Sequence, residues 1–437
     1  MEILFLSHRM PYPPNKGDKI RSHAMIRHLA KHHTVHLACF VDDPNDWTHT
    51  DTVRRQVGGE CLFVPLRPAT KWSRAASALL TGHPMTTAYF GSPKMARWVR
   101  SLVARRAIDR AIVYSTAMAP YILNSSGFDP ARVIFDMQDI DSDKWRQYSL
   151  DASLLKRWIF RREAKVLLRL ERDAAAQFGV TTLVTGYEAE TFATLAPESA
   201  KRICALNHGV DLQSLKDCFA NPFPPGDCPI VMTGRMDYRP NFDGAHWFAT
   251  EVMPHIARAL PNARFYIVGA NPKPSLRQVV GPHVVLVGHV DDIRPYVQHA
   301  AVAVAPLKIA RGVQNKVLEA MAMQKPVIAT PEAARSLAVA SGVELWIEHD
   351  PVRFAAAVVA ATSSQDREVV ARNGRRYVER HHDWHKNLIV LDDMLAQLGD
   401  TPSARDNNAL CEVNRAAPHQ RRQHPEVTLP PLAGAQP

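Results

Sequence analysis

The chain has 437 residues, 46% apolar and 22% charged, enough to bury the cores of two α/β domains of roughly 200 residues each. It has no apolar stretch long enough to cross a bilayer. Its six cysteines, at 39, 61, 204, 218, 228 and 411, form neither a C-x-x-C pair nor a cluster with histidine at metal-ligand spacing, which argues against a membrane-spanning or disulfide-stapled protein. The net charge of +10 is compatible with nucleic acid, an anionic membrane, a phosphorylated substrate, or simply a basic solvated surface.

The N-terminal MEILFLSHRMPYPP reads as a first strand, Glu2–Leu6, rather than a signal peptide, so a cytoplasmic location is expected. A Pro-rich loop follows, then a helix from Asp18 to Lys31 and strands at Val35–Val41 and Cys61–Val64. Helices at Trp72–Leu80 and Pro93–Arg105 lead to strands at Ala111–Tyr114 and Val133–Asp136. An amphipathic helix covers Ser153–Gln177 and a buried strand Val180–Val184. Short apolar runs alternating with helical patterns predict a parallel sheet with helices on both faces.

Pro, Gly and Asn cluster between Asn207 and Cys228 and predict an interdomain linker after a first domain of residues 1–206. The alternation then restarts in a second domain, 229–380. Strands are predicted at Ile230–Thr233, Phe265–Val268, Val284–Val287, Ala301–Ala305 and Val327–Thr330, with helices at Phe242–Leu260 and Val313–Met323 among them. Helices at Asp366–His381 and Trp384–Leu398 close the fold, residues 381–400 packing back toward the first domain. The Pro-, Gln- and Ala-rich stretch 401–437 reads as a disordered tail. Two such domains form a cleft at the carboxyl ends of their strands, where ligands bind.

The stretch Ala305–Thr330 carries the most chemistry. A strand ends in a Pro-led loop, Gly312 opens a helix at Val313, and a second strand follows Pro326. The N–H groups of that first turn, with Lys316, suit a diphosphate. Glu319 shares the helical face of Lys316 and can accept from ribose hydroxyls, though the two can equally form a surface i,i+3 pair. Upstream, Thr233 and Gly234 end a strand from which Arg235 projects, either toward phosphate or into a domain-edge salt bridge. In Phe135–Trp145, Asp136, Asp139, Asp141 and Asp143 can hold a metal, orient acceptor hydroxyls or cap a helix; the stretch lacks the glycine and distal glutamate of a calcium loop. Lys156, Arg157, Arg161, Arg162, Lys165, Arg169 and Arg172 line one amphipathic helix, which reads either as a lipid-binding face or as a solvated one.

The segment Arg311–Val327 resembles the donor-binding stretch of GT-B glycosyltransferases of family 4, usually E-G-F-G-x-x-x-x-E-A-M-A-x-G-x-P-V. Glu319 matches the second glutamate, which holds the ribose. Arg311 stands where the first glutamate meets the donor sugar, and Gln324 replaces a glycine. Gly234 and Arg235 match the family's G-R-x-x-x-x-K-G loop, with Arg239 able to substitute for its lysine. The Pro13–Asp18 loop resembles P-P-x-x-G-G, with Gly17 at the first glycine and Asp18 at the second; Asp18 can also be a helix N-cap. With Arg239–Asn241 and Gln314–Ala322, the loops are most similar to sugar transferases of bacterial PEP-CTERM/exosortase exopolysaccharide loci.

The resemblance implies a GT-B fold of two Rossmann-like doubly wound domains. It implies retaining transfer from a nucleotide sugar, a substrate rather than a cofactor, to a glycan or lipid-linked acceptor, with no metal. Arg235, Lys316 and Asp139 then carry the chemistry. Gly17, Gly234, Arg239, Arg311, Gly312, Val313 and Glu319 bind donor, and Asp18, Lys19 and Arg21 face the acceptor. The inner face of the plasma membrane is a further expected partner. Nucleic acid is not, because the basic residues lack interleaved aromatics. Rival readings are a nucleotide-sugar epimerase and a non-catalytic GT-B binding module.

Overall fold

The computed structural model describes residues 1–66, 68–150, 152–215, 217–310, 312–363 and 365–398. The described residues divide into two compact units: Met1–His208 with 385–398, and Gly209–Trp384. Arg311 and the 401–437 tail, both named above, lie outside the described residues.

The first unit is built on a parallel sheet of β1 (Glu2–Ser7), β2 (Thr34–Val41), β3 (Gly58–Pro65), β4 (Arg110–Tyr114), β5 (Val133–Gln138), β6 (Val180–Leu183) and β7 (Ile203–Ala205), in the order β3-β2-β1-β4-β5-β6-β7. The Ile3–Leu6 run is fully buried because helices cover both faces of such a sheet. Each of these side chains contributes roughly 1.5–3 kcal/mol. The covering helices follow ordinary rules. In Pro93–Arg105, Met95, Val99 and Leu102 share a buried stripe, and the Ser92 side chain accepts from the Met95 N–H at the start.

The second unit repeats the scheme with β8 (Cys228–Thr233), β9 (Ala263–Val268), β10 (Val284–Gly288), β11 (Val302–Ala305), β12 (Val327–Ala329) and β13 (Trp346–Ile347), all parallel, in the order β10-β9-β8-β11-β12-β13. In each sheet the chain winds one way from the central strand and then the other. The switch falls between β1 and β4 in one sheet and between β8 and β11 in the other. A crevice opens at such a point beyond the carboxyl ends of the strands.

Three expectations need correction. The segment 207–228, read as a linker, belongs from Gly209 on to the second unit: Val210, Leu212 and Phe223 are buried, and Val210 bridges to Asp383. Its prolines and Gly226 lie exposed on either side of the buried Phe223. The helix expected over Phe242–Leu260 is three pieces, α-helical at Arg239–Trp247, a π turn at Phe248–Val252, and α-helical again from Met253 to Ala259. Pro254 has no N–H to give the preceding turn, so the hydrogen-bond ladder re-registers there. Finally, the helix expected from Val313 begins at Asn315, leaving Gly312 and Val313 in the loop before it.

Candidate active site

The switch point of the second sheet gathers most of the residues expected to hold a donor. β8 ends at Thr233, and Gly234 turns the chain at φ 143°, a conformation that favours glycine. A Cβ there would sit 2.7 Å from Asn241 Nδ2 and 3.1 Å from Lys316 Nζ, so the position is also sterically reserved. Asn241, buried near the start of the helix Arg239–Trp247, donates from Nδ2 to the Arg235 carbonyl at 2.9 Å, and its Oδ1 accepts from Lys316 Nζ at 2.5 Å. One side chain thus ties the end of β8 to the first turn of the helix Asn315–Ala322, 75 residues on. Sequence reasoning placed Asn241 only in the Arg239–Asn241 stretch and assigned it no role, since its significance lies in that distant partner.

The loop between β11 and this helix is fixed by Thr330, whose buried hydroxyl donates to the Leu307 carbonyl at 2.6 Å. Gly312 then takes φ 57°, and the first-turn N–H groups that follow have no carbonyl within the helix to bond. Lys316 points to Asn241 rather than forming the i,i+3 pair with Glu319. Burial pushes its ammonium down to about 8, against the pull of Glu319. The same desolvation raises Glu319, with Lys316 opposing it. Among the described residues the Glu319 carboxylate makes no hydrogen bond; its side chain is partly buried, beside the Lys316 cation.

The other two arginines fit the expectation less well. Arg235 is half-exposed and bidentate to Asp237, at 2.7 and 3.2 Å, which holds that carboxyl below its usual range. Its Nε and Nη2 are taken by this partner, so a bidentate grip on phosphate through that edge requires exchanging it. Arg239 is not drawn into the cluster: its side chain is 74% exposed and pairs with Asp243 one helical turn on. Arg239 is the exposed first residue of an otherwise largely buried helix, and the i,i+4 spacing suits the pair.

In the first unit, a cavity of about 360 Å³ opens at the β1/β4 switch point, lined by His8, Asp18, Ser115, Asp139 and Trp145 among others. Asp18 and Asp139, both expected at the site, are brought together here. Asp18 is held by Arg9 Nη1 at 2.5 Å and His8 Nε2 at 3.2 Å, which keep its carboxyl far below the usual range despite burial. Gly17 is simply the first residue of the helix Gly17–Leu29. Ser115 and Gln138 adopt φ 82° and 66° at the ends of β4 and β5, a strained arrangement common at functional sites. The Ser115 hydroxyl is buried and has no hydrogen-bond partner among the described residues. Asp141, which also lines the cavity, is raised by burial, and Glu171 is pushed up to about 8 by burial and by Asp141.

Lys19 and Arg21, expected to face an acceptor, do not. Both are 1% exposed, Lys19 pairing with Asp46 at 2.5 Å and Arg21 with Asp136 at 2.8 Å. They point into the fold because buried carboxylates on other elements draw them there. The remaining carboxylates of the Phe135–Trp145 stretch are also accounted for: Asp143 pairs with Arg146, and Asp141 and Asp143 occupy the first turn of the helix Asp141–Tyr148, where negative charge is favourable. Among the described residues no three His, Cys, Asp or Glu side chains are grouped to hold a metal ion. Nor is any helix long and apolar enough to cross a membrane.

Residues 228–364 match the family described as "Glycosyl transferases group 1". No curated protein matches the chain. Among solved structures, Anabaena HepE in complex with UDP is 14% identical with a TM-score of 0.64, covering 91% of this chain and 100% of its own. Sucrose-phosphate synthase from Thermosynechococcus elongatus is 18% identical with a TM-score of 0.67, covering 91% and 99%. WaaG, a glycosyltransferase involved in lipopolysaccharide biosynthesis, is 16% identical with a TM-score of 0.61, covering 91% and 100%. At these identities the likeness is one of fold, and that fold is GT-B. With the family match over 228–364, which spans the Gly234, Lys316 and Glu319 cluster, the chain is a glycosyltransferase.

Proposed function

We propose that this enzyme is a retaining transferase that moves a sugar from a nucleoside diphosphate onto a glycan or lipid-linked acceptor, in exopolysaccharide or other cell-surface polysaccharide synthesis at the cytoplasmic face of a membrane. The observation that carries this reading is the union of Gly234, Asn241, Lys316 and Glu319 at one sheet switch point. A fixed cation, the start of the helix Asn315–Ala322 and a carboxylate acceptor suit a diphosphate joined to a ribose. HepE has been crystallised with UDP and with UDP-glucose, which supports a uridine donor as the first to test.

In this scheme the diphosphate lies along the loop from Gly312 to Lys316, and Arg235 leaves Asp237 to meet it. These groups stabilise the charge that develops on the departing phosphate, the role a divalent ion fills in other transferases. Glu319 holds the ribose. The acceptor occupies the first unit's cavity, with Asp139 orienting its hydroxyl. Retention and the polysaccharide setting rest on the family resemblance.

The test is nucleotide release from UDP- and GDP-sugars with and without lipid extract. Release that depends on acceptor supports transfer; isomerisation of the sugar without acceptor overturns it. Glu319→Gln should raise the donor KM about tenfold with a smaller change in kcat, since a ribose contact is made in ground and transition states alike. An unchanged KM would remove Glu319 from the site.

A further inference from the structure

The four most exposed large hydrophobic side chains among the described residues are Leu154 (82%), Leu155 (72%), Leu150 (60%) and Trp158 (59%). They fall within nine consecutive positions, at the turn that joins the helix Asp141–Tyr148 to the long helix Leu154–Gln177. Farther along, that helix is ordinary: Glu163, Leu167, Glu171, Ala174 and Ala175 are buried. Its first turns therefore present apolar bulk outward while its later turns pack. A patch of this kind marks an interaction surface.

Among the described residues the exposed charges along the first turns of the long helix are basic; Asp151 stands in the connecting stretch. Lys156, Arg161 and Lys165 are exposed, and none has a carboxylate partner among the described residues. The carboxylate nearest them on the helix, Glu163, is fully buried and accepts the Met85 and Thr86 N–H groups, so it neutralises nothing at the surface. Arg162 is likewise turned inward, onto the Ala78 and His83 carbonyls. Outward-pointing leucines and a tryptophan ringed by unpaired cations match the boundary of an anionic bilayer, where apolar side chains enter the acyl region and cations meet headgroups.

We propose that Leu150, Leu154, Leu155 and Trp158 form a membrane-docking element that inserts into an anionic lipid surface, with Lys156, Arg161 and Lys165 on its headgroups. Trp145 and Tyr148, on the helix that leads into this element, line the 360 Å³ cavity. Docking therefore brings that cavity to the lipid boundary, where a lipid-carried acceptor presents its head. This last consequence rests on the proposed transfer reaction; the docking does not.

The experiment is co-sedimentation of the full chain with phosphatidylcholine vesicles, with and without phosphatidylglycerol. Binding is expected only to the anionic vesicles. Leu154→Ser/Leu155→Ser should weaken it at least about tenfold, and Lys156→Gln and Arg161→Gln about fivefold each. Melting shifts with UDP should stay unchanged in all variants, showing an intact fold and donor site. Equal binding to neutral vesicles, wild-type affinity in both sets of variants, or a wild-type dimer abolished by the leucine pair would overturn docking; the dimer would make the patch a contact between copies. Vesicle binding without any UDP shift would instead sink the transfer reading and leave the docking standing.

Discussion

Lys316→Ala is expected to lower kcat/KM for the sugar nucleotide by at least about a hundredfold, the size seen when one fixed electrostatic contact to a developing charge is removed. Two features make the lysine hard to replace. Asn241 and Gly234 hold its ammonium at the end of β8, so no reorganisation is needed as charge builds on the leaving phosphate. Desolvation, which strengthens its interaction with an anion, also pushes its titration down to about 8. The sign of the pH dependence follows. Only the protonated form binds phosphate, so kcat/KM should fall as pH rises through about 8 in the free enzyme, while a bound diphosphate moves the decline in kcat to higher pH. Lys316→Arg should remove that limb, because a guanidinium does not titrate there, yet stay slower than wild type, because its planar fork does not fit the Asn241 contact. A Lys316→Ala enzyme within threefold of wild type, or a pH profile that survives Lys316→Arg, would exclude the lysine from the chemistry.

The second large effect is on stability. Arg21→Met should cost the first unit about 3–5 kcal/mol, the penalty for leaving a buried charge without its partner. The Arg21–Asp136 pair is 1% and 0% exposed, so water cannot compensate the orphaned carboxylate. The control is Arg21→Met with Asp136→Leu. An apolar pair of similar volume is often as stable as a buried ion pair, so the double variant should regain most of the loss. Urea unfolding monitored for the first unit measures both. If the single variant loses less than about 1 kcal/mol, the range of an exposed pair, the ion pair is not the buried element described here.

Much of the fold could be read from residues because buried parallel strands are written as unbroken apolar runs. Ile3–Leu6 and Val302–Ala305 need no partner to be recognised. The two- and three-residue strands β13 and β7 were missed, since so short a run carries no pattern of its own. The donor half of the site was legible where strand, loop and helix follow one another, as at Gly234 and Lys316. It was not legible where a side chain's role depends on a remote partner. Lys19 and Arg21 look like loop and helix cations, but Asp46 and Asp136, 27 and 115 positions away, turn them inward. Arg239 misled differently: a motif position pointed to phosphate, while the local Arg239–Asp243 spacing, equally visible, favoured the surface pair that forms.

The account stands or falls on whether the β8/β11 switch point binds a nucleoside diphosphate. The direct measurement is calorimetric titration of UDP and UDP-glucose into the full chain and into Lys316→Ala. It predicts saturable binding by the wild type and at least about tenfold weaker binding by the variant, for loss of one charge-assisted hydrogen bond. Equal affinities in the two proteins would contradict it.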